Sequence, residues 1–283
     1  MNRWKIGDVT ITRVVEMETT SKATFVLKDG SPENIRTVPW LRPHFANEDG
    51  KVIMSVHAFV IESAGHRMVV DTCIGNDKRR AFPGWNMLQL PFLADLEKAG
   101  FSRDSIDRVL CTHLHVDHVG WNTMLVGGRW MPTFPRARYL IGRKEWEHWS
   151  KAGEPDTREL LDDSVVPVFD AGLVDLVESD ARLTDEIRLE PTPGHTPGHH
   201  SVHISSRGQE AVITGDLMHH PVQMAHPEWG SHFDSDFAEA IRTRRAFLER
   251  YGDQPILVLG THFATPTAGR IVRDGDDSWR LEL

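Results

Sequence analysis

Thr112-His113-Leu114-His115-Val116-Asp117-His118-Val119-Gly120 places four side chains that can bind a metal ion within six consecutive residues. The stretch follows Ile106–Cys111, whose apolar and β-branched residues predict a buried strand that leads straight into the histidines. A lone histidine is usually a packed or surface residue, whereas four such side chains at this spacing after a strand are far more specific. The stretch therefore predicts a metal centre of the kind that metallohydrolases use.

The spacing of the four side chains indicates two ions rather than one. In an extended chain His113 and His115 point to the same side, because side chains alternate with a period of two. Asp117 and His118 are neighbours, so they diverge and the chain must turn there. One pair can bind one ion while the other pair faces a second. Imidazole and carboxylate ligands without thiolate suit zinc first, and iron, manganese and cobalt are the alternatives.

The order of these residues resembles the HxHxDH signature of the metallo-β-lactamase superfamily. In that superfamily a third histidine, an aspartate that bridges two metals and a last histidine follow along the chain. Three later segments match in order and context, namely Thr192–His199, Thr214–Asp216 and Gly260–His262. The resemblance implies an α/β fold, a four-layer αβ/βα sandwich of two sheets with helices outside. It also implies two zinc ions per chain, with the ligands His113, His115 and His195 for one ion, Asp117, His118 and His262 for the other, and Asp216 as the bridge.

Asp71 lies at the end of an apolar strand, where an unpaired buried carboxylate would be costly, so we expect it to have a partner. In the superfamily, the aspartate of a comparable segment supports one of the metal ligands, as metal-bound histidines generally require. A carboxylate that caps a loop is the alternative role.

The charge of such a centre determines its chemistry. Two divalent ions, the carboxylates of Asp117 and Asp216 and a bridging hydroxide leave a net charge of about +1, which favours an oxygen that gains negative charge. We expect the hydroxide to attack a carbonyl carbon while one ion polarises the carbonyl oxygen and the other receives the leaving alkoxide. The residues expected to take part in catalysis are Asp117, Asp216 and His219.

The substrate depends on which branch of the superfamily the chain resembles. Lactonases that open acyl-homoserine lactones often place a tyrosine three residues after the bridging aspartate, where it donates a hydrogen bond to the substrate carbonyl oxygen. This chain has His219 there, with His220 beside it, so Gly215–His220 looks more like the methyl-parathion-hydrolase-like phosphotriesterases. We expect hydrolysis of a lactone or another carboxylic ester with an apolar body, and a phosphotriesterase is the alternative. A metal-retaining binding protein and an oxygen-using iron enzyme remain further alternatives.

Composition narrows the class of protein further. A chain of 283 residues with 40% hydrophobic content predicts one domain over residues 1–283. The balance of 32 basic and 41 acidic residues argues against a nucleic-acid or membrane partner. The partner that the resemblance implies is a small-molecule ester or lactone substrate, and a homodimer is possible. Cys73 and Cys111 do not form a disulfide framework. The first residues lack the apolar core of a signal peptide, so the expected location is cytoplasmic.

Elsewhere the patterns predict a strand at Val9–Val15, a loop over Glu18–Gly50, a hairpin of Val52–Ile61 with His66–Val70, and helices at Pro91–Ala99, Arg143–Ser150 and Phe237–Tyr251. Further strands are predicted at Ala137–Ile141, Ile187–Leu189, Ser201–Ile204, Ala211–Ile213 and Ile256–Leu259. The aromatic residues of the long loop, Phe25, Trp40 and Phe45, either line a pocket, cover a partner subunit or anchor an ordinary loop. The arginines of the last helix are interpreted as a solvated face.

Overall fold

The computed structural model describes residues 2–283. In this range the strands are β1 Arg3–Ile6, β2 Val9–Ser21, β3 Val52–Ser63, β4 His66–Val70, β5 Arg108–Cys111, β6 Thr123–Val126, β7 Arg129–Pro132, β8 Arg138–Gly142, β9 Val174–Val177, β10 Ile187–Pro191, β11 His200–Ser206, β12 Gln209–Ile213, β13 Ile256–Leu259, β14 Ala268–Arg273 and β15 Trp279–Glu282. The α-helices are α1 Pro32–Arg36, α2 Phe92–Lys98, α3 Arg143–Trp149, α4 Pro155–Ser164, α5 Val166–Asp170, α6 Val222–Ala225 and α7 Phe237–Tyr251. None of the helices in residues 2–283 combines the length and the apolar character needed to cross a membrane.

The chain divides into two compact units. The first unit comprises the chain up to Glu16 together with Val56–Ser179, and the second comprises Met17–Ser55 together with Asp180–Leu283. The organisation as one domain over the whole chain stays a prediction.

The first unit contains the parallel part of a seven-stranded sheet with the order β1-β2-β3-β4-β5-β8-β9. Strands β4, β5, β8 and β9 pair in parallel, and Val69, Val109 and Ile141 of these strands are fully buried. The carboxyl ends of neighbouring parallel strands meet at the same edge of a sheet, which is where α/β proteins place their ligands. Asp71 after β4 and Thr112 after β5 therefore emerge side by side.

The second unit contains a six-stranded sheet with the order β10-β11-β12-β13-β14-β15. Strands β12 and β13 pair in parallel, whereas the other neighbours pair antiparallel. Because β10 ends where β11 begins, at the Pro191–His200 pair, the connecting segment lies at the edge where β12 and β13 also end. This edge therefore carries the segments that contain His195, Asp216 and His262.

Helix α7 packs an apolar face into the core of the second unit. Asp236 caps its amino end by accepting a hydrogen bond from the Glu239 backbone N–H at 2.8 Å. The interpretation of its arginines as a solvated face is wrong for Arg244, whose side chain is fully buried and donates to the Leu217 carbonyl at 3.1 Å. Burial lowers the pKa of Arg244 to about 10, so its guanidinium stays charged at neutral pH.

Most of the predicted elements are confirmed, including the β3–β4 hairpin, helices α2, α3 and α7, and the strands next to the ligand segments. The loop predicted over residues 18–50 is wrong in part, because β2 runs on to Ser21 and Pro32–Arg36 form α1. Of its aromatic residues, Phe45 is buried and Trp40 packs on the same core, whereas Phe25 is 43% exposed. Cys73 and Cys111 are buried, free thiols.

His220 connects Phe45 to the segment that follows Asp216 through hydrogen bonds of its ring. Its Nε2 donates to the Phe45 carbonyl at 2.8 Å, and its Nδ1 accepts the Val222 backbone N–H at 3.2 Å. Both hydrogen bonds require a neutral ring with the proton on Nε2. Burial lowers the pKa of His220 to about 4.

We expect this ring to make stability depend on pH. The folded-state pKa of His220 lies below the value of about 6.5 in an unfolded chain, so its contribution is fully present above pH ~6.5 and is lost as the pH falls towards 4. In the metal-free protein, the free energy of unfolding by urea should therefore fall by about 2 kcal/mol more between pH 7.5 and 4.5 in the wild type than in His220→Gln. Parallel pH profiles for the two proteins would contradict this role.

Candidate metal centre

The first unit gathers the four side chains of the HxHxDH motif directly after β5. The ring centroids of His113 and His115 lie 4.6 Å apart, and those of His113 and His118 lie 4.0 Å apart. His118 Nε2 is 3.7 Å from Asp117 Oδ1. His113 and His118 are buried, whereas His115 and Asp117 are partly exposed. Four of the predicted ligands thus form one compact cluster with a side that is open to solvent.

Asp71 supports this cluster from the neighbouring strand. Its Oδ2 lies 2.9 Å from His118 Nδ1 and also accepts the Thr112 hydroxyl at 2.8 Å, while its Oδ1 accepts the Thr112 backbone N–H at 2.8 Å. Asp71 therefore has the partner that the sequence predicts. A hydrogen bond to Nδ1 leaves Nε2 of His118 as the ring nitrogen that can bind a metal.

Glu145 on α3 is a buried carboxylate that sequence analysis did not single out. Its Oε2 accepts the Leu114 backbone N–H at 3.1 Å, inside the ligand motif, and the Trp149 indole N–H at 2.8 Å. The ring of Trp149 lies 5.3 Å from the ring of His115. Helix α3 was predicted, but nothing in its sequence shows that one of its acidic residues points inward to the motif.

The second unit gathers three histidines around one carboxylate. The Nε2 atoms of His195, His219 and His262 lie 3.6, 3.3 and 3.2 Å from an oxygen of Asp216. All four side chains are buried. The ligand atoms of His195, Asp216 and His219 are close enough together to bind one ion. The structure thus places the three ligands predicted in this unit, together with His219, in a second cluster.

The other ring nitrogens show how the rings are oriented. His195 Nδ1 lies 3.0 Å from Asp234 Oδ1, and His262 Nδ1 lies 3.0 Å from the Ser55 carbonyl oxygen. Nδ1 donates in both contacts, so Nε2 is the ring nitrogen that faces Asp216. In residues 2–283, neither ring nitrogen of His219 has a hydrogen-bond partner. A buried imidazole in that state fits a site that a metal, a water molecule or a substrate completes.

His199 has a structural task within the third-histidine segment. Its Nε2 accepts the backbone N–H of Asp216 at 2.8 Å, and its Nδ1 donates to the Thr192 carbonyl at 3.0 Å. The ring therefore holds the turn that presents Asp216. Since His220 bonds to Phe45 and Val222, His219 is the member of the His219–His220 pair that faces the cluster.

A profile of the metallo-beta-lactamase superfamily matches residues 53–262, a range that contains both clusters. N-acyl homoserine lactonases from Bacillus sp. and from Bacillus thuringiensis subsp. kurstaki, the latter named AiiA, are each 25% identical over 118 residues. That match covers 42% of this chain and only 40% of each relative.

Solved structures are similar over nearly the whole chain. The hydrolase AbOPH of the beta lactamase superfamily has a TM-score of 0.82 at 21% identity, with 99% of this chain and 96% of the other covered. AidC, a dizinc quorum-quenching lactonase solved with a product, has a TM-score of 0.80 at 21% identity, with 100% and 97% covered. At this identity the likeness establishes the fold. The chain therefore belongs to the metallo-beta-lactamase superfamily and has its mixed α/β fold, as the resemblance of its motifs implies.

Proposed function

We propose that this protein is a binuclear zinc hydrolase that opens a lactone or cleaves another carboxylic ester with an apolar body. The convergence of His195, His219 and His262 on the buried carboxylate of Asp216 carries this proposal. A buried carboxylate needs a compensating charge, which a divalent cation bound by the imidazole rings around it supplies. Nitrogen and oxygen donors without thiolate suit zinc.

The proposed ligands follow the order of the superfamily motifs. They are His113, His115 and His195 for one ion, Asp117, His118 and His262 for the other, and Asp216 for both. Hydrogen bonds of the other ring nitrogen support this assignment for His118, His195 and His262. In each ring Nδ1 is hydrogen-bonded, so Nε2 is the nitrogen that can bind a metal ion.

When bound, two divalent ions lower the pKa of a coordinated water and polarise an ester carbonyl. The chain's own part is to orient and stabilise the substrate around them. We assign His219 as the hydrogen-bond donor to the substrate oxygen that becomes negative, because its ring faces Asp216 and has no partner within residues 2–283. A fixed donor of this kind stabilises the transition state more than the ground state. Asp117 and Asp216 contribute the negative charges that offset the ions.

An aromatic pair near His195 supports an apolar substrate body. Phe25 and Phe233 pack edge to face, with ring centroids 5.7 Å apart, and both are more than 40% exposed. Phe233 directly precedes Asp234, the partner of His195. The two segments that carry the rings are joined by backbone hydrogen bonds, such as the one from His232 N–H to the Val26 carbonyl at 2.9 Å. We propose that the pair contacts the acyl group.

We expect purified enzyme to hydrolyse lactones and carboxylic esters faster than thioesters or phosphotriesters in a panel with zinc present. AiiA and AidC are lactonases, which favours the lactone over the phosphotriester. Phe233→Ser should raise KM for long acyl chains more than for short ones. A larger effect from Phe82→Ser, which alters a phenylalanine of similar exposure between β4 and α2, would assign the acyl contact to that segment instead. A preference for phosphotriesters would overturn the proposed substrate class.

Asp216→Ala should abolish turnover and reduce the metal content from about two ions per chain to one or none, because both ions lose a shared anionic ligand. His203→Ala is the matched control, since His203 is a buried histidine of β11 that pairs with Glu210 at 2.8 Å. Elemental analysis of protein purified without added metal measures both variants. A single ion in fully active wild type, or equal metal loss in both variants, would argue against the binuclear centre.

His219→Ala should lower kcat by about a hundredfold while the metal content stays unchanged, because a transition-state hydrogen-bond donor is lost. Steady-state kinetics on the best substrate and elemental analysis of the same preparation test this together. Unaltered kcat would remove the proposed role. Loss of metal would instead make His219 a ligand.

A further inference from the structure

The loop before α7 contains Asp234, whose buried carboxylate contacts Nδ1 of His195. Asp234 Oδ1 lies 3.0 Å from His195 Nδ1, and Asp234 Oδ2 accepts the Ser231 backbone N–H at 2.8 Å. The side chain of Asp234 is 0% exposed. Each carboxylate oxygen therefore has a fixed donor, one from the protein backbone and one from the imidazole.

Arg244 supplies the positive charge that this carboxylate needs. Its Nη2 lies 3.9 Å from Asp234 Oδ2, and its side chain is also 0% exposed. Its Nη1 donates to the carbonyls of Pro227 and Trp229, at 2.8 and 3.0 Å. These contacts hold the guanidinium in place across the segment that leads to Asp234. An ionised carboxylate without such a partner would be costly at this depth.

We propose that Asp234 and Arg244 are a positioning pair that holds His195 with its proton on Nδ1 and directs Nε2 to a metal ion. His195 Nε2 already faces Asp216 at 3.6 Å. A carboxylate partner also makes the imidazole a stronger ligand. Asp71 has the same relation to His118 in the first unit, so each unit anchors one histidine through a carboxylate. This role rests on the proposed metal centre and adds no step to the reaction.

The substitution Asp234→Asn tests the pair because it changes one oxygen into an NH2 group. If that group faces Ser231, two donors oppose each other. If it faces His195, the ring must accept there and its proton moves to Nε2, the atom that should bind the metal. We expect Zn²⁺ affinity at one of the two sites to fall by about 10- to 100-fold. Competition between the protein and a chromophoric chelator measures both affinities, and Co²⁺ absorption reports the change in coordination.

Asp236→Asn is the matched control. Asp236 lies two residues further on and caps α7, and its acceptor oxygen survives the change to asparagine. This variant should keep wild-type affinity for both Zn²⁺ ions. A folded Asp234→Asn protein with two unchanged Zn²⁺ affinities would overturn the positioning role.

A second measurement does not depend on whether Asp234→Asn folds. In the metal-free wild type, long-range ¹H–¹⁵N spectra of the imidazoles, assigned with His195→Gln, should show the His195 proton on Nδ1. A ring whose single proton is on Nε2 would overturn the proposal. Absence of hydrolysis across the substrate panel would defeat the proposed function but leave both of these tests of Asp234 intact.

Discussion

The buried carboxylate of Asp216 is the constraint on which the rest of the second cluster depends. Three imidazole rings reach it from separate segments, and each brings a nitrogen within 3.6 Å. Histidines that serve as ligands must be neutral, so they cannot balance the carboxylate by taking up protons. A divalent cation resolves this conflict because it binds the nitrogen lone pairs and neutralises the carboxylate together. With the proposed ligand set, metal binding and the folded geometry of this edge are therefore coupled.

Backbone geometry places these side chains where they are needed. Strands β12 and β13 run in parallel and end at the Ile213–Leu259 pair, so the next residues of both strands leave the same sheet edge. Gly215 adopts φ +56°, a left-handed conformation that glycine accepts without steric strain, which lets the chain turn immediately before Asp216. The parallel pair β4 and β5 does the same for Asp71 and the HxHxDH motif. In both units the strand ends determine where the proposed ligand segments leave the sheet, and hydrogen bonds to Nδ1 orient the histidine rings.

The sequence predicts most of the proposed ligands because the segments with His113, Asp216 and His262 follow short apolar runs, and local patterns report such positions well. It does not predict the residues that orient them. Asp234 is 39 positions from His195 and lies in a short polar loop without periodicity, so only the folded chain brings the two together. The role of Arg244 is also not predicted from the sequence, because an arginine within an amphipathic helix is normally solvated. Helix α4 was also missed, because its few buried residues, including Leu160 and Leu161, give a weak pattern.

The motifs indicate the chemistry more clearly than the substrate, because the proposed ligands and the proposed substrate contacts lie in different parts of the structure. The ligands depend on strand ends and buried hydrogen bonds, whereas Phe25 and Phe233 are exposed side chains on loops joined through backbone atoms. Backbone pairing does not depend on side-chain identity, so the aromatic residues can change without disturbing the ligands. Asp234 limits this freedom, because it occupies the same loop as Phe233 and bonds to His195. On the proposed role of Phe233, substrate preference can therefore vary at that position, while the neighbouring Asp234 remains bonded to His195.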